Sequence, residues 1–195
     1  MGISGASGSV YVESLVKALH NIPGRTFVIC SPSSLLVYNQ EMNTNVKSAG
    51  DIIDHIRKKW NLKDGKHIFD ERDFYDIGSD VASGTNSWRG MIITPCSMKT
   101  VASVNAGITG NLIERCADVS LKERRRLIIV PREAPFNRIH LKNLLGLDEA
   151  GAIIMPASPG FYQQPKTIED LADFMTAKIF NLLDIGHSLI PKWEG

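Results

Sequence analysis

The sequence predicts an α/β fold, a Rossmann-like or flavodoxin-like doubly wound parallel sheet in a single domain spanning residues 1–195. Short β-branched runs recur along the chain with segments of helical periodicity between them, the pattern of βαβ units. Those runs are apolar at consecutive rather than alternate positions, as in strands covered by helices on both faces. A chain of 195 residues, 43% hydrophobic and 22% charged, is long enough for one sizeable core.

The elements follow in order. GISGASG (2–8) leads into VYVESLVKALH, where Val12, Leu15, Val16 and Leu19 share one side of a helix. The glycine-rich segment should itself follow a strand. Either that strand is only about three residues long, roughly 10 Å, or the chain begins downstream of its true start. RTFVICS (25–31) is the next strand, and Ser31-Pro32 supplies an N-cap with proline at the first helical position. Ser48 with Asp51, and Thr167 with Asp170, read as capping boxes before IIDHIRKKW and LADFMTAKIFNLL. KHIF (66–69) is a weaker strand; GMIITPC (90–96), RLIIVP (126–131) and GAIIMP (151–156) are stronger ones. Asn137 caps a helix carrying Leu141, Leu144 and Leu145.

A net charge of +1 gives no global electrostatic case for nucleic acid or an acidic membrane surface, so any positive site must be local. Cys30, Cys96 and Cys116 match neither a disulfide framework nor a CxxC zinc pattern and read as reduced, partly buried thiols. No apolar run approaches the length needed to cross a bilayer, and Met1 runs straight into glycine rather than a signal sequence. A cytoplasmic protein is expected.

Several segments carry possible chemistry. The small residues of GISGASG let backbone N–H groups and the Ser7 hydroxyl approach a phosphate at a helix N-terminus; a plain tight turn reads equally well. Its GxxGxxG spacing does not single out NAD. In TPCSMKT (94–100), Ser97, Lys99 and Thr100 stand where open sheets bind ligands, though capping alone accounts for Ser97. Cys96 has no histidine or acid placed by motif to activate it. Asp70, Asp73 and Asp76 read as a solvated loop, and the five histidines form no ligand spacing, so no metal is expected. Tyr162, in SPGFYQQP (158–165), follows a strand end and offers a hydroxyl, or simply packs. In LKERRRLIIVPREAPF (121–136), the cations before the strand suit a solvated helix end. Arg132 and Glu133 instead follow the strand between two prolines, where a guanidinium grips phosphate bidentately and a carboxyl moves a proton.

Together and in this order, GASG (5–8), PCSMKT (95–100), NLIERCADVSLKERRRLIIVPREAPF (111–136), GAIIMPASPGFYQQP (151–165) and PKWEG (191–195) resemble the UbiX/Pad family of flavin prenyltransferases. The resemblance spans nearly the whole chain and leaves only 43–81 unremarkable. It implies reduced FMN held by Gly5, Ala6, Ser7, Ser31, Ser97, Met98, Lys99, Thr100 and Arg115. It implies dimethylallyl phosphate held by Lys122, Arg132, Tyr162 and Lys178, with Trp193 near the prenyl pocket. Glu133 and Glu41 match the family's acid/base carboxylates, and Ser7 and Lys122 join them as catalytic candidates. The implied product is prenylated FMN, cofactor of a UbiD-type decarboxylase in ubiquinone or aromatic-acid metabolism. The implied assembly is a homododecamer with sites at subunit contacts, and the tail 185–195 is expected to close over the site.

Residue chemistry agrees in one respect. Prenyl-transferring enzymes that handle diphosphate often use aspartate-bound magnesium, whereas a monophosphate without metal needs lysine, arginine and a carboxylic acid for the leaving oxygen. Three departures stand out: the nearly absent first strand, lysine at position 178 where arginine is also found, and an extra Arg126 that reads as a surface residue. Two rivals remain at this point, an FMN-dependent decarboxylase of the aromatic-acid or cysteine-peptide type and a flavin-binding electron carrier without catalysis.

Overall fold

A computed structural model describes residues 1–191. Six strands, β1 (Gly2–Ile3), β2 (Gly24–Cys30), β3 (His67–Glu71), β4 (Met91–Cys96), β5 (Leu127–Pro131) and β6 (Ile153–Ile154), form one sheet in the order β3-β2-β1-β4-β5-β6. Every pairing is parallel. The helices are α1 (Ser9–Leu19), α2 (Pro32–Met42), α3 (Ala49–Lys59), α4 (Met98–Asn105), α5 (Leu112–Lys122), α6 (Arg138–Glu149) and α7 (Ile168–Leu182), with a 3₁₀ turn at Asp80–Ala82. The doubly wound parallel sheet expected from the sequence is the observed fold.

Both faces are covered, which is why β4 and β5 are apolar at successive positions. On one face Val101, Leu112, Ile113 and Leu147 bring α4, α5 and α6 onto Ile93 and Ile129. On the other, Val12, Val16 and Ile52 pack α1 and α3 on β2, while Leu15, Phe174 and Ile179 pack α1 and α7 on Ile92 and Ile128. The four apolar residues assigned to one side of α1 are all buried.

Local capping chemistry places the helix starts. Ser31, Ser48, Ser97, Asn137 and Thr167 each accept a hydrogen bond from the backbone N–H three residues on. Thr167 and Asp170 form the reciprocal box. Ser48 and Asp51 do not, because the Asp51 carboxylate takes the Lys47 amide instead. Two further readings change. GAIIMP gives a strand of two half-buried residues, since β6 is a sheet edge. In α6 only Leu144 of the three leucines is buried; Leu141 and Leu145 face outward.

Candidate active site

The strand order puts β1 beside β4, and their following helices leave to opposite faces, so a crevice opens beyond their carboxyl ends. Buried Ser4 ties the two edges together. Its hydroxyl accepts from the Ser97 amide at 2.8 Å and lies 3.3 Å from the Pro95 carbonyl it donates to. The chain then turns tightly, with the Ala6 amide on the Ser4 carbonyl at 2.8 Å. Gly5 has no room for a side chain: a Cβ there would lie 2.4 Å from Ser33 Oγ and 2.6 Å from Ser33 Cβ. Gly8, at φ 125°, uses backbone space that side-chain-bearing residues rarely enter.

Two side chains grip this loop. The Glu41 carboxylate, from the end of α2, accepts the Gly8 amide at 3.1 Å and the Ser9 amide at 2.7 Å, at the positive end of the α1 dipole. Burial alone would raise the Glu41 pKa, but hydrogen bonds from Ser7, Ser9 and Gly8 outweigh it and hold the group below its ordinary value. Glu41 is therefore an ionised acceptor at neutral pH. Arg132 donates from Nε to the Ser7 carbonyl at 3.2 Å. Tyr11 feels both groups: burial raises its phenol pKa, Arg132 opposes the rise and Glu41 adds to it.

Ser31 shares a 3.0 Å hydrogen bond with Ser33 while capping α2. Ser97 caps α4, with Met98 and Thr100 buried in its first turn. Lys99 is drawn to buried Glu114 at 2.6 Å, which brackets the starts of α4 and α5. Arg115, one residue on, pairs with Asp118 at 3.2 Å. The starts of α1, α2 and α4, with the Ser7, Ser31, Ser97 and Thr100 hydroxyls, thus stand at the ends of β1, β2 and β4. A small-residue loop, helix N-termini and hydroxyls suit an anionic phosphate with a polyhydroxyl chain, and Glu41 already shows that the α1 N-terminus accepts an anion. The donor set fits FMN.

The remaining candidates do not all converge in one chain. Glu133 is exposed, and its carboxylate accepts the Ala134 amide at 3.0 Å. Tyr162 and Lys178 share Phe174: the Tyr162 ring stands edge-on at 5.7 Å and the Lys178 ammonium lies 5.5 Å from the ring centre. The tail comes back to this loop, with Gln163 donating to the Pro191 carbonyl at 3.3 Å. Trp193 lies outside the described residues. Lys122 ends α5 beside Glu123 and Gly84, before β5 begins, whereas Arg132 follows the end of β5. A five-residue strand, about 16 Å at strand rise, separates them.

Ser4, Ser33, Tyr11, Glu114 and Phe174 escaped the sequence reading. Ser4 did carry a signal, since it sits inside GISGASG, and Glu114 lies in the 111–136 stretch; Ser33, Tyr11 and Phe174 lie on helices where nothing separates them from capping or packing. The thiols are out of play as nucleophiles, because burial pushes Cys30 and Cys96 up to about 12 and Cys116 up to about 11. Each histidine is otherwise engaged: His20 with Lys63, His55 with Tyr38, His67 with Thr26, His140 in the α6 cap and His187 with Asn181. Among the described residues no group of three or more His, Cys, Asp or Glu is placed to hold a metal ion, and no helix is long and apolar enough to cross a membrane.

The flavoprotein family model matches residues 1–191. A flavin prenyltransferase UbiX of Halalkalibacterium halodurans is 42% identical over 193 residues, covering 99% of this chain and 91% of the relative. This chain belongs to the UbiX flavin prenyltransferases. Among solved structures, AnUbiX (PadA1) in complex with FMN and dimethylallyl pyrophosphate superposes with a TM-score of 0.86 at 34% identity, covering 100% of this chain and 95% of that one. A dodecameric FMN-dependent UbiX-like decarboxylase from Escherichia coli O157:H7 gives 0.84 at 33% identity, covering 100% and 97%.

Proposed function

We propose that this chain is a metal-independent flavin prenyltransferase that joins a dimethylallyl group from dimethylallyl phosphate to reduced FMN, giving prenylated FMN. The observation that carries the reading is the loop at the β1–β4 switch point, held between an ionised Glu41 and the Arg132 guanidinium. Gly5, Ala6, Ser7, Ser31, Ser97, Met98, Lys99, Thr100 and Arg115 hold FMN, which supplies an electron-rich ring as prenyl acceptor. Arg132, Lys122, Tyr162 and Lys178 hold the donor phosphate.

Breaking the allylic C–O bond leaves negative charge on phosphate, and guanidinium and ammonium groups stabilise it without a metal. Glu133 stands free enough to deliver a proton to the departing oxygen. Ser7, hydrogen-bonded to Glu41, would pass a proton given up at the bound flavin to that carboxylate. In this reading Glu133 takes the acid role and Glu41 the base role, the one exposed beyond β5 and the other seated on the α1 N-terminus. The product serves a UbiD-type decarboxylase in the cytoplasm, and the chain works as a dodecamer.

The test is the flavin mass after incubation with reduced FMN and dimethylallyl phosphate. The expected result is a flavin heavier by one prenyl unit. An unchanged mass from folded, FMN-loaded protein would overturn the reading.

A further inference from the structure

Two groups in the crevice have donors unspent. Arg132 commits its Nε to the Ser7 carbonyl at 3.2 Å, and among the described residues its two terminal nitrogens make no hydrogen bond or ion pair. A guanidinium with an open fork suits an anionic oxygen pair. The second group is Tyr11. Its hydroxyl likewise has no hydrogen-bond partner among the described residues, although a buried phenol usually finds one. Tyr38, on α2, shows the ordinary case, with its hydroxyl 2.9 Å from His55 Nδ1.

The backbone fixes where the Tyr11 ring lies. Tyr11 stands in the first turn of α1, its amide donating to the Gly8 carbonyl at 3.0 Å. Helix side chains lean toward the N-terminus, and this ring folds back over Gly8. A Cβ on Gly8 would lie 2.7 Å from the ring Cδ2 and 2.8 Å from Cε2, with Pro95 Cβ 3.6 Å away. Gly8 itself sits between the two gripped residues, Ser7 on Arg132 and Ser9 on Glu41. The phenol is within electrostatic reach of both. Burial raises its pKa most, Arg132 opposes the rise and Glu41 adds to it, so the hydroxyl stays protonated at neutral pH and remains a donor.

The ring also packs against the apolar cluster of α1 and α7 that contains Phe174. Phe174 is the residue that Tyr162 and Lys178 share. Tyr11 therefore bridges the Arg132 side of the crevice and the Tyr162–Lys178 side.

We propose that the Tyr11 hydroxyl is a further substrate-binding group, donating a hydrogen bond to a phosphoryl oxygen of the prenyl donor beside the Arg132 guanidinium. The inference rests on the reading of Arg132, Tyr162 and Lys178 as donor-phosphate ligands. FMN carries a phosphoryl group too, but the packing of Tyr11 on the Phe174 cluster favours the prenyl donor. As the allylic C–O bond breaks, negative charge gathers on the departing phosphate and strengthens a hydrogen bond to it. The same hydroxyl thus serves binding and departure.

The test is Tyr11→Phe, which keeps the ring over Gly8 and removes only the hydroxyl. With FMN bound in its oxidised form, so that no transfer follows, dimethylallyl phosphate affinity is measured by calorimetry. FMN affinity is read by fluorescence titration and the Tm by thermal melting. The dimethylallyl phosphate Kd should weaken about tenfold or more, the loss of one hydrogen bond to a charged group, while FMN affinity and Tm hold. An unchanged dimethylallyl phosphate Kd overturns the proposal. So does a loss that falls on FMN, which gives the hydroxyl to the flavin, or a lowered Tm, which gives it to folding. Wild-type protein that binds FMN but no dimethylallyl phosphate overturns the donor-phosphate reading itself, and this inference with it.

Discussion

Gly5 shows how a single missing side chain shapes the flavin loop. Its Cα faces the start of α2 so closely that a methyl group would sit 2.4 Å from Ser33 Oγ and 2.6 Å from Ser33 Cβ. Ser33 cannot swing wholly away, because its Cβ is fixed by the helix backbone. Gly5→Ala should therefore cost about 2 kcal/mol as local overpacking and weaken FMN binding about tenfold, read by flavin fluorescence titration. Ser33→Gly removes both offending atoms, so the double variant should recover most of the lost affinity. An unaltered affinity in Gly5→Ala, or no recovery in the double variant, would refute the steric account. The sequence made Gly5 legible as part of a tight loop but gave no hint of its opponent, since Ser33 reaches it through tertiary packing. Glu41 is the sharper case. Its position 32 residues from Ser9 carries no local motif; only the family resemblance pointed to it, and only the fold shows it seated on the α1 N-terminus.

At the scale of elements, the starts of α4 and α5 are braced by one ion pair. Glu114 is buried and bonds to Lys99 at 2.6 Å, and it also accepts the Gly110 amide at 3.0 Å. Burial pushes its pKa up, but the Lys99 ammonium and the Asn111 side chain outweigh that and hold it below the ordinary 4.5. A carboxyl with a lowered folded pKa adds stability that is present above its unfolded value and fades as pH falls through its folded value. Glu114→Gln should thus lower the Tm at pH 7 by a few degrees, the loss of a charge-assisted hydrogen bond worth about 2 kcal/mol. The gap between variant and wild type should close as the pH drops below about 4.5. A gap that stays constant from pH 7 to 3 in thermal melts would show that Glu114 acts through shape alone. Helix starts were legible here because caps are local: a serine, threonine or asparagine bonds three residues on. Lys99 was legible as a residue at a strand end, but not its engagement with a carboxylate on another helix.

For the whole molecule, the deciding fact is the separation of Lys122 from Arg132. The family resemblance implied one phosphate for both, ten residues apart in a single stretch, yet the strand between them carries them to opposite ends of the sheet. Periodicity reveals a strand but not which of its ends faces the crevice, so adjacency in sequence concealed distance in space. If one phosphate is held by both, the Lys122 that serves a given crevice comes from a neighbouring chain, and the site is shared across an interface. Lys122→Ala and Arg132→Ala should then each abolish prenyl transfer when assembled alone. Dissociated, mixed in equal amounts and reassembled, they should regain about a quarter of wild-type activity, because half the crevices keep Arg132 and half of their neighbours supply Lys122. A site contained in one chain forbids any recovery, since each chain lacks one of the two cations. The measurement is prenylated flavin per subunit, with native mass spectrometry confirming that mixed assemblies formed. Full activity of Lys122→Ala assembled alone would remove Lys122 from the phosphate site and leave it as one of the surface cations around Arg124 and Arg125, and mixed assemblies without recovered activity would overturn the shared site.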